Sequence, residues 1–257
     1  MSHSLCPCQG ASVMLVGVRN DFPRPDGSPP LFGSRLGTAH RVGALSSMCA
    51  VALKRSQARR TAWRPIAGAK RAGQPGYIEF ADPTLRDRAP KGGAWVHEIK
   101  TDGYRAQLHI RRGKITIYSR SGYDWTKQFT PIATAAKALS MHDLIIDGEA
   151  TVLGETGVPD FQALRRELGD PKSKRLLYHA FDLLYLDGYN LRPSTLLHRK
   201  EALRQLLSGA PTTFVFVDYL REDGHRVFEH ACQLGLEGIV SKRSDAPYRS
   251  GRVESWI

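Results

Sequence analysis

The sequence of 257 residues has no long apolar run and few cysteines, and each absence excludes a class of protein. Apolar stretches such as Leu144–Ile146 and Phe214–Val217 are far shorter than the roughly 20 residues that a membrane-spanning helix needs. The four cysteines lie at positions 6, 8, 49 and 232, and no cysteine pair has zinc-finger spacing. We therefore expect no membrane span, disulfide framework or zinc finger, and a reduced, cytoplasmic setting.

Acidic residues are scarce in the first 76 positions, which hold 11 Lys and Arg but only 2 Asp and Glu. This segment carries most of the net charge of +12, so the overall charge is weak evidence that the rest of the chain binds nucleic acid. Its composition predicts that residues 1–76 form a disordered basic extension and that residues 77–257 form a globular domain. A transit peptide, a non-specific phosphate clamp and a true start codon near Met48 are alternative interpretations.

The most informative stretch is the hexad at residues 100–105, which reads Lys-Thr-Asp-Gly-Tyr-Arg. Residues 95–99 alternate as in a strand, so Glu98 and Lys100 are expected on one face. The Asp-Gly step is a turn signal, and a second alternating run follows it to residue 110. The pattern predicts a hairpin that gathers a lysine, a carboxylate and an arginine around one small volume.

A lysine amine is a nucleophile only when it is not protonated, and nearby cations or loss of water lower its pKa. Arg105 and a bound metal ion would both lower the pKa of Lys100. One reaction that needs such a lysine is attack on the α-phosphate of a nucleotide, which gives a lysyl-nucleotide phosphoramidate. The alternative is a surface hairpin with a weak salt bridge between Lys100 and Asp102.

Five further segments follow the hexad in a recognisable order. They are residues 119–122, 144–149, 181–188, 237–242 and 248–256. Together with the hexad they resemble motifs I to V of the covalent nucleotidyltransferases, the family of ATP-dependent DNA ligases, RNA ligases and mRNA capping enzymes. The sequences of several of these segments are most similar to those of the ligase D group, the bacterial end-joining DNA ligases.

The resemblance implies a role for individual residues. Lys100 is the expected covalent nucleophile toward ATP. Nucleotide contacts are expected from Glu98, Arg105, Arg120, Glu149, Phe181 and Lys242. Among these, Glu98 and Phe181 would meet the adenine base, and Lys242 would meet the α-phosphate. A metal ion, Mg²⁺ or Mn²⁺, is expected at Glu149 and Glu237.

Residue spacing bears on two of these assignments. Asp147 and Glu149 lie two positions apart, so a strand would point both carboxylates the same way, as ribose or Mg²⁺ binding requires. In a second interpretation Asp147 only supports a turn at Gly148. Glu237 and Lys242 lie five positions apart, so an ideal strand would send them to opposite faces. A bulge, strong twist or a strand that ends before Lys242 would reconcile this.

The hydrophobic patterns predict a mixed α+β fold in which locally paired strands alternate with helices. Strands are expected at 95–100, 105–110, 114–118, 144–153, 176–186, 214–219 and 237–242, with a break near Gly148. Helices are expected at 125–139, at 160–168, from a Ser194 cap to Gly209, and at 224–234. The resemblance implies the nucleotidyltransferase (adenylation-domain) fold, in which packed antiparallel sheets with flanking helices enclose a nucleotide cleft.

In the family, two lysines and an oligonucleotide-binding domain follow the position of Trp256, whereas this sequence ends at Ile257. We therefore expect the oligonucleotide-binding domain to be absent and the chain to be truncated before the motif V lysines. The resemblance implies an ATP-dependent DNA ligase of bacterial repair and recombination, nucleoid-associated, with nicked or broken DNA and end-joining proteins as partners. An RNA ligase or capping-type enzyme and a catalytically weak nucleotide- or DNA-binding remnant are the alternatives.

Overall fold

The computed structural model describes residues 66–139 and 141–257, and this part of the chain forms strands and short helices. The strands are β1 (Lys70–Arg71), β2 (Ala81–Pro83), β3 (Trp95–Ile99), β4 (Tyr104–Arg111), β5 (Lys114–Ser119), β6 (Asp143–Val152), β7 (Leu176–Leu186), β8 (Tyr189–Asn190), β9 (Phe214–Phe216), β10 (Ile239–Arg243) and β11 (Gly251–Val253). The helices are α1 (Thr130–Ala136), α2 (Phe161–Glu167), α3 (Leu196–Leu207) and α4 (Gly224–Gln233). In these ranges no helix combines the length and the apolar composition needed to cross a bilayer.

The largest sheet is built around β6 and β7, whose apolar side chains are mostly buried. Its strand order is β1-β8-β7-β6-β4-β5, and β9 adds to β7 as its parallel neighbour. All other pairs in this sheet are antiparallel. Helix α3 packs on β7, and α2 packs on β6. The mixed α+β class predicted from the hydrophobic pattern is therefore confirmed.

A second, two-stranded sheet pairs β3 with β10 in antiparallel register. Alternation puts Glu98 and Lys242 on one face, whereas His97 and Ser241 form a cross-strand pair on the other face. His97 Nδ1 and Ser241 Oγ are hydrogen bonded at 2.8 Å. A Cβ on Gly224, at the start of α4, would lie 2.6 Å from the His97 ring. The close packing of α4 against this face therefore requires glycine at position 224.

The predicted hairpin between residues 95–100 and 105–110 is wrong. Strand β3 pairs with β10, whereas β4 pairs with β5 and β6, so the connection at residues 100–103 crosses from one sheet to the other. A Cβ on Gly103 would lie 2.2 Å from the carbonyl oxygen of Ala150 in β6. The glycine is therefore required by close backbone approach, and not by the positive φ of a hairpin turn.

A third pairing, parallel β2 and β11, joins the two ends of the folded part. Side chains from several sheets meet beside it in one apolar cluster. Its members are Ile78, Ala81, Ile145, Leu184, Tyr185, Tyr248, Val253 and Trp256, with Phe181 and Val240 packed against it. This cluster connects the large sheet to the segment that carries Trp256, and it forms the floor under the charged residues described below.

Several predicted boundaries differ from those observed. Strand β6 runs through Gly148 without a break; register shifts against β7 replace the expected interruption, and a Cβ there would lie 2.6 Å from Tyr178. Helix α1 is shorter than predicted. The cap of α3 is Thr195, whose side chain accepts from the backbone N–H of His198, and not Ser194. The predicted Asp160 cap of α2 is confirmed.

The described residues before Tyr77 belong to the large sheet. Strand β1 pairs with β8, and the Gln74 amide donates to the carbonyl oxygens of Ile110 and Leu144 at 2.9 and 3.0 Å. Residues 66–76, which composition had assigned to the basic extension, thus contribute a strand. The prediction of disorder for residues 1–65 lies outside the described residues.

Candidate active site

Lys100 lies just beyond the end of β3, at the crossing between two sheets. Its backbone N–H donates to the Gly238 carbonyl at 2.9 Å, and its amine forms an ion pair with Glu237. Partial burial lowers the pKa of Lys100, whose side chain is still 44% exposed, and the carboxylates of Glu149 and Asp102 act in the opposite direction. Arg105 and a metal ion were expected to lower this pKa, whereas partial loss of water is the main cause in the structure.

Glu237 reaches Lys100 because it precedes β10 and is not part of it. The strand begins at Ile239, after Gly238 with a φ of 147°. The expected difficulty, that a strand would send Glu237 and Lys242 to opposite faces, does not arise because Glu237 lies before the strand. This explanation was not among those anticipated. The structure brings Glu237 to Lys100 and sends Lys242 along β10 to a buried position further in.

Glu149 also acts on Lys100 through its charge. It lies on β6 directly opposite Arg105 on β4. Burial raises the pKa of Glu149 to about 8, although Arg105 and Lys100 both favour its ionised form. A carboxyl group with this pKa is mostly protonated at pH 7, and a cation brought beside it favours its ionised form. Glu237 thus acts on the Lys100 amine by direct contact, and Glu149 acts on it through its charge.

This pair of carboxylates fits one mode of magnesium binding. Within residues 66–139 and 141–257, no group of three or more His, Cys, Asp and Glu side chains could hold a metal ion by itself. Mg²⁺, however, is commonly held by one or two carboxylates together with substrate phosphates and water. Glu149 and Glu237 are suited to this shared mode, in which the nucleotide supplies the remaining oxygen ligands.

Glu98 is already paired in the buried interior. Its Oε2 lies 2.5 Å from the Lys242 amine and its Oε1 lies 2.9 Å from the amine of Lys200 on α3. All three side chains are at most 3% exposed. Glu98, expected from the resemblance to meet the adenine base, thus has two lysines as its partners in this structure. Lys200 was not anticipated at all.

Arg105 is held by Asp147. Its guanidinium donates to both carboxylate oxygens, at 3.1 and 2.8 Å, and to the Ala81 carbonyl oxygen at 2.8 Å. The Tyr248 hydroxyl donates to the same carboxylate at 2.9 Å and accepts from the Ala81 N–H. Asp147 therefore does more than support a turn: it fixes Arg105, and its negative charge raises the pKa of that guanidinium.

Phe181 and Trp256 form an aromatic wall next to these charges. Their ring centroids are 6.1 Å apart in an edge-to-face arrangement. The Lys242 amine lies 4.5 Å from the Phe181 ring and 4.0 Å from the Trp256 ring, and the Arg105 guanidinium lies over both. Such contacts with cations stabilise a lysine at a site where water is scarce.

Arg120 has a different environment from the other predicted nucleotide ligands. It is exposed at the end of β5, and its guanidinium pairs with Asp82 of β2 at 2.9 Å. Its backbone carbonyl accepts from the Tyr77 hydroxyl. A salt bridge at this exposure is weak, so Arg120 can exchange Asp82 for an anionic ligand at little cost.

Lys200 and its neighbour Arg199 are the site residues that sequence reasoning missed. Arg199 is fully buried and donates to both carboxylate oxygens of Asp182, at 2.7 and 2.9 Å. The signal was present in the helix pattern, because both residues fall on the face of α3 that Leu196 and Leu203 define. Charged residues at core positions of a helix indicate buried partners.

Comparisons with known proteins agree with this geometry. Residues 84–257 match the family model described as ATP dependent DNA ligase domain. This match covers more than half of the chain, which therefore belongs to the family of ATP-dependent DNA ligase domains. The nucleotidyltransferase fold expected from the resemblance is confirmed by the solved structures of that family described next.

The similar proteins include several ligase D proteins. The chain is 36% identical over 207 residues to the multifunctional non-homologous end joining protein LigD of Pseudomonas aeruginosa, covering 79% of this chain and 25% of that protein. It matches the ligase domain of Mycobacterium tuberculosis LigD with a TM-score of 0.56 and 33% identity, over 63% of this chain and 53% of that one. A mycobacterial DNA ligase D complexed with ATP and MES matches with a TM-score of 0.56 and 32% identity, over 69% and 58%. The match to the Pseudomonas aeruginosa protein thus spans about a quarter of that protein's length.

Proposed function

We propose that this chain carries out the chemistry of an ATP-dependent DNA ligase, beginning with transfer of AMP from ATP to Lys100. The observation that carries the proposal is the environment of the Lys100 amine: partial burial lowers its pKa, Glu237 forms an ion pair with it, and the charge of Glu149 also acts on it. An amine with a lowered pKa is a competent nucleophile, and carboxylates beside it suit a metal-bound triphosphate.

In the first step the uncharged Lys100 amine attacks the α-phosphorus of ATP. A nitrogen–phosphorus bond forms, the bond to the bridging oxygen of pyrophosphate breaks, and the amine loses a proton. Mg²⁺ held by Glu149 and Glu237 would neutralise the phosphate charge. AMP then passes to a 5′-phosphate at a DNA nick or break, and the adjacent 3′-hydroxyl displaces AMP to seal the strand.

The remaining predicted ligands have supporting roles in this proposal. Lys242, with its pKa lowered by burial, contributes charge toward the α-phosphate. Phe181 offers a ring for the adenine base, and stacking of this kind is worth about 1–3 kcal/mol. Glu98 accepts from the exocyclic amine of adenine, and Arg120 binds a phosphate or the ribose. Arg105 acts through its fixed position between Asp147 and the aromatic wall.

DNA, and not RNA, is the proposed nucleic-acid substrate, because the chain belongs to the DNA ligase domain family and its relatives are named DNA end-joining proteins. We further propose that the protein acts in bacterial DNA repair and recombination, at the nucleoid and with end-joining proteins. The names of the ligase D relatives support this context.

The test uses ATP labelled at the α-phosphate, with Mg²⁺, followed by a chase with nicked duplex DNA. We expect label on the protein that nicked DNA removes. Lys100→Ala should abolish labelling, whereas Lys114→Ala, which removes an exposed lysine of the β4–β5 turn, should label like the wild type. Equal labelling of the Lys100 variant, or preferential labelling by GTP, would contradict the proposal.

A further inference from the structure

The ion pairs of Glu98 form a buried triad with one carboxylate and two ammonium groups, Lys200 and Lys242. Lys242 is hydrogen bonded to Oε2, and Lys200 lies at ion-pair distance from Oε1, so neither lysine displaces the other. The two lysines come from different parts of the fold, Lys200 from α3 and Lys242 from β10. One positive charge is left in excess in a volume that water does not reach, which favours the arrival of an anion.

The two lysines are anchored to different degrees. The Lys200 amine also donates to the Val217 carbonyl and lies 4.6 Å from the Phe216 ring. The hydrogen bond that the structure gives to the Lys242 amine is the one to Glu98, and its other neighbours are the aromatic faces of Phe181 and Trp256. Lys200 is therefore the stationary partner of Glu98, and Lys242 is the partner that can move.

The pairing of β3 and β10 links this triad to Lys100. Glu98 lies opposite Val240 in this pairing. Two residues further along the chain, the Lys100 N–H donates to the Gly238 carbonyl oxygen. Glu98 and Lys242 share the strand face that leads to the end of β3, where the Lys100 amine meets Glu237. A phosphate at Lys100 would therefore attract Lys242 away from Glu98.

Moving Lys242 has a consequence for Glu98. A buried carboxylate that loses its partner is strongly unfavourable. We propose that Lys200 is a positioning residue that keeps Glu98 paired, so that Lys242 can leave Glu98 for the α-phosphate of bound ATP. The inference rests on the proposed function, because it assigns Lys242 to the phosphate of the nucleotide that Lys100 attacks.

Lys200→Met is the first test, because methionine keeps the length of the side chain and removes the charge. Without Lys200, Glu98 retains Lys242, so we expect the rate constant for AMP transfer at saturating ATP to fall about 10- to 100-fold. The final extent of labelling of folded protein should not change. A purely structural role would lower the extent of labelling and leave the rate constant of the folded fraction unchanged.

The double variant Glu98→Gln/Lys200→Met provides the rescue. A neutral amide at position 98 does not hold Lys242 and can still accept from an adenine amine. We expect the double variant to recover most of the lost rate. If Lys200→Met alone does not fold, the double variant is compared with Glu98→Gln. The two should react at the same rate, because a neutral residue at position 98 does not need Lys200 as a partner.

Arg204→Met is the matched control. It removes a cation from the same helix and from the same Phe216 ring, where its guanidinium lies 4.5 Å from the centroid, but its partner is the exposed Asp218. We expect wild-type rates from it.

Three results would overturn the role of Lys200. They are an unchanged rate constant for Lys200→Met, a double variant no faster than Lys200→Met, and, where the single variant is unfolded, a double variant slower than Glu98→Gln. If wild-type protein is not labelled at all, the proposed function fails and the inference falls with it. A labelled wild type with an unaffected Lys200→Met removes the inference alone.

Discussion

At the scale of single residues, the candidate site depends on how burial and charge act on three ionisable groups. Lys100 pairs with Glu237, Glu98 pairs with two lysines, and Arg105 is held by one aspartate. Each charge has a partner of opposite sign, so the site is held together without a ligand. A nucleotide that binds here must therefore replace some of these ion pairs with its own contacts.

The pKa of Glu149 leads to a prediction about stability. Its pKa is raised from an ordinary 4.5 to about 8 in the folded protein, so between these values the folded state holds a proton that the unfolded state has lost. The free energy of unfolding should therefore decrease as the pH rises from 4.5 through 8, and Glu149→Gln should remove this part of the decrease. Urea unfolding without nucleotide or metal, across this pH range, measures it.

The control for this measurement is Glu155→Gln, which changes an exposed carboxylate in the turn after β6. It should keep the wild-type pH dependence. A Glu149→Gln variant with the same pH dependence as the wild type would show that Glu149 is not protonated in the folded protein near neutral pH.

The sequence could identify Lys100, Glu237 and Glu149 as one site, because ordered motifs carry residue types and their order. It could not identify the partner of Arg105 or the role of Lys200. Those depend on which strands lie side by side and on which face of α3 is buried against β7. Such facts come from contacts between residues far apart in the chain, and local spacing does not contain them.

At the scale of elements, alternation along the chain predicted the existence of most strands but not their partners. The run at Leu176–Leu186 was predicted with its observed limits. The hairpin between β3 and β4 was not found, because the Asp-Gly step permits a tight turn without requiring one. The observed pairs, β3 with β10 and β4 with β6, join residues far apart in the chain, and a local turn signal contains no information about them.

Gly103 is the element-scale position with the clearest consequence. Because a Cβ there would lie 2.2 Å from the Ala150 carbonyl oxygen, Gly103→Ala must push β6 away from the crossing segment. We expect a loss of about 1–3 kcal/mol in the free energy of unfolding, typical of overpacking. The rate of AMP transfer should also fall, because the displaced backbone carries Lys100. Urea unfolding and labelling kinetics measure the two effects.

Gly93→Ala is the matched control for this substitution. Nothing lies within 4 Å of a Cβ at that position, so alanine should be tolerated or should stabilise the protein by up to about 1 kcal/mol. If Gly103→Ala unfolds at the same urea concentration as Gly93→Ala, the close approach of the crossing segment to β6 is not a constraint on the fold.

At the scale of the whole molecule, three pairings of strands meet around one site. The large sheet supplies Glu149 and Phe181, the β3–β10 sheet supplies Glu98 and Lys242, and the segment after β11 supplies Trp256. Composition predicted the class of fold, and ordered motifs predicted the family. The sheets meet at this site because the apolar cluster under it packs residues from all of them together. No single motif encodes that packing.

The Lys100 amine is the atom on which the proposed chemistry depends, and peptide mass spectrometry tests its role most directly. The whole chain is incubated with ATP and Mg²⁺, digested and searched for peptides that carry AMP. We predict an acid-labile AMP adduct on Lys100, which is missing when Mg²⁺ is chelated. An adduct on another lysine, or none on protein that is demonstrably folded, would contradict the account.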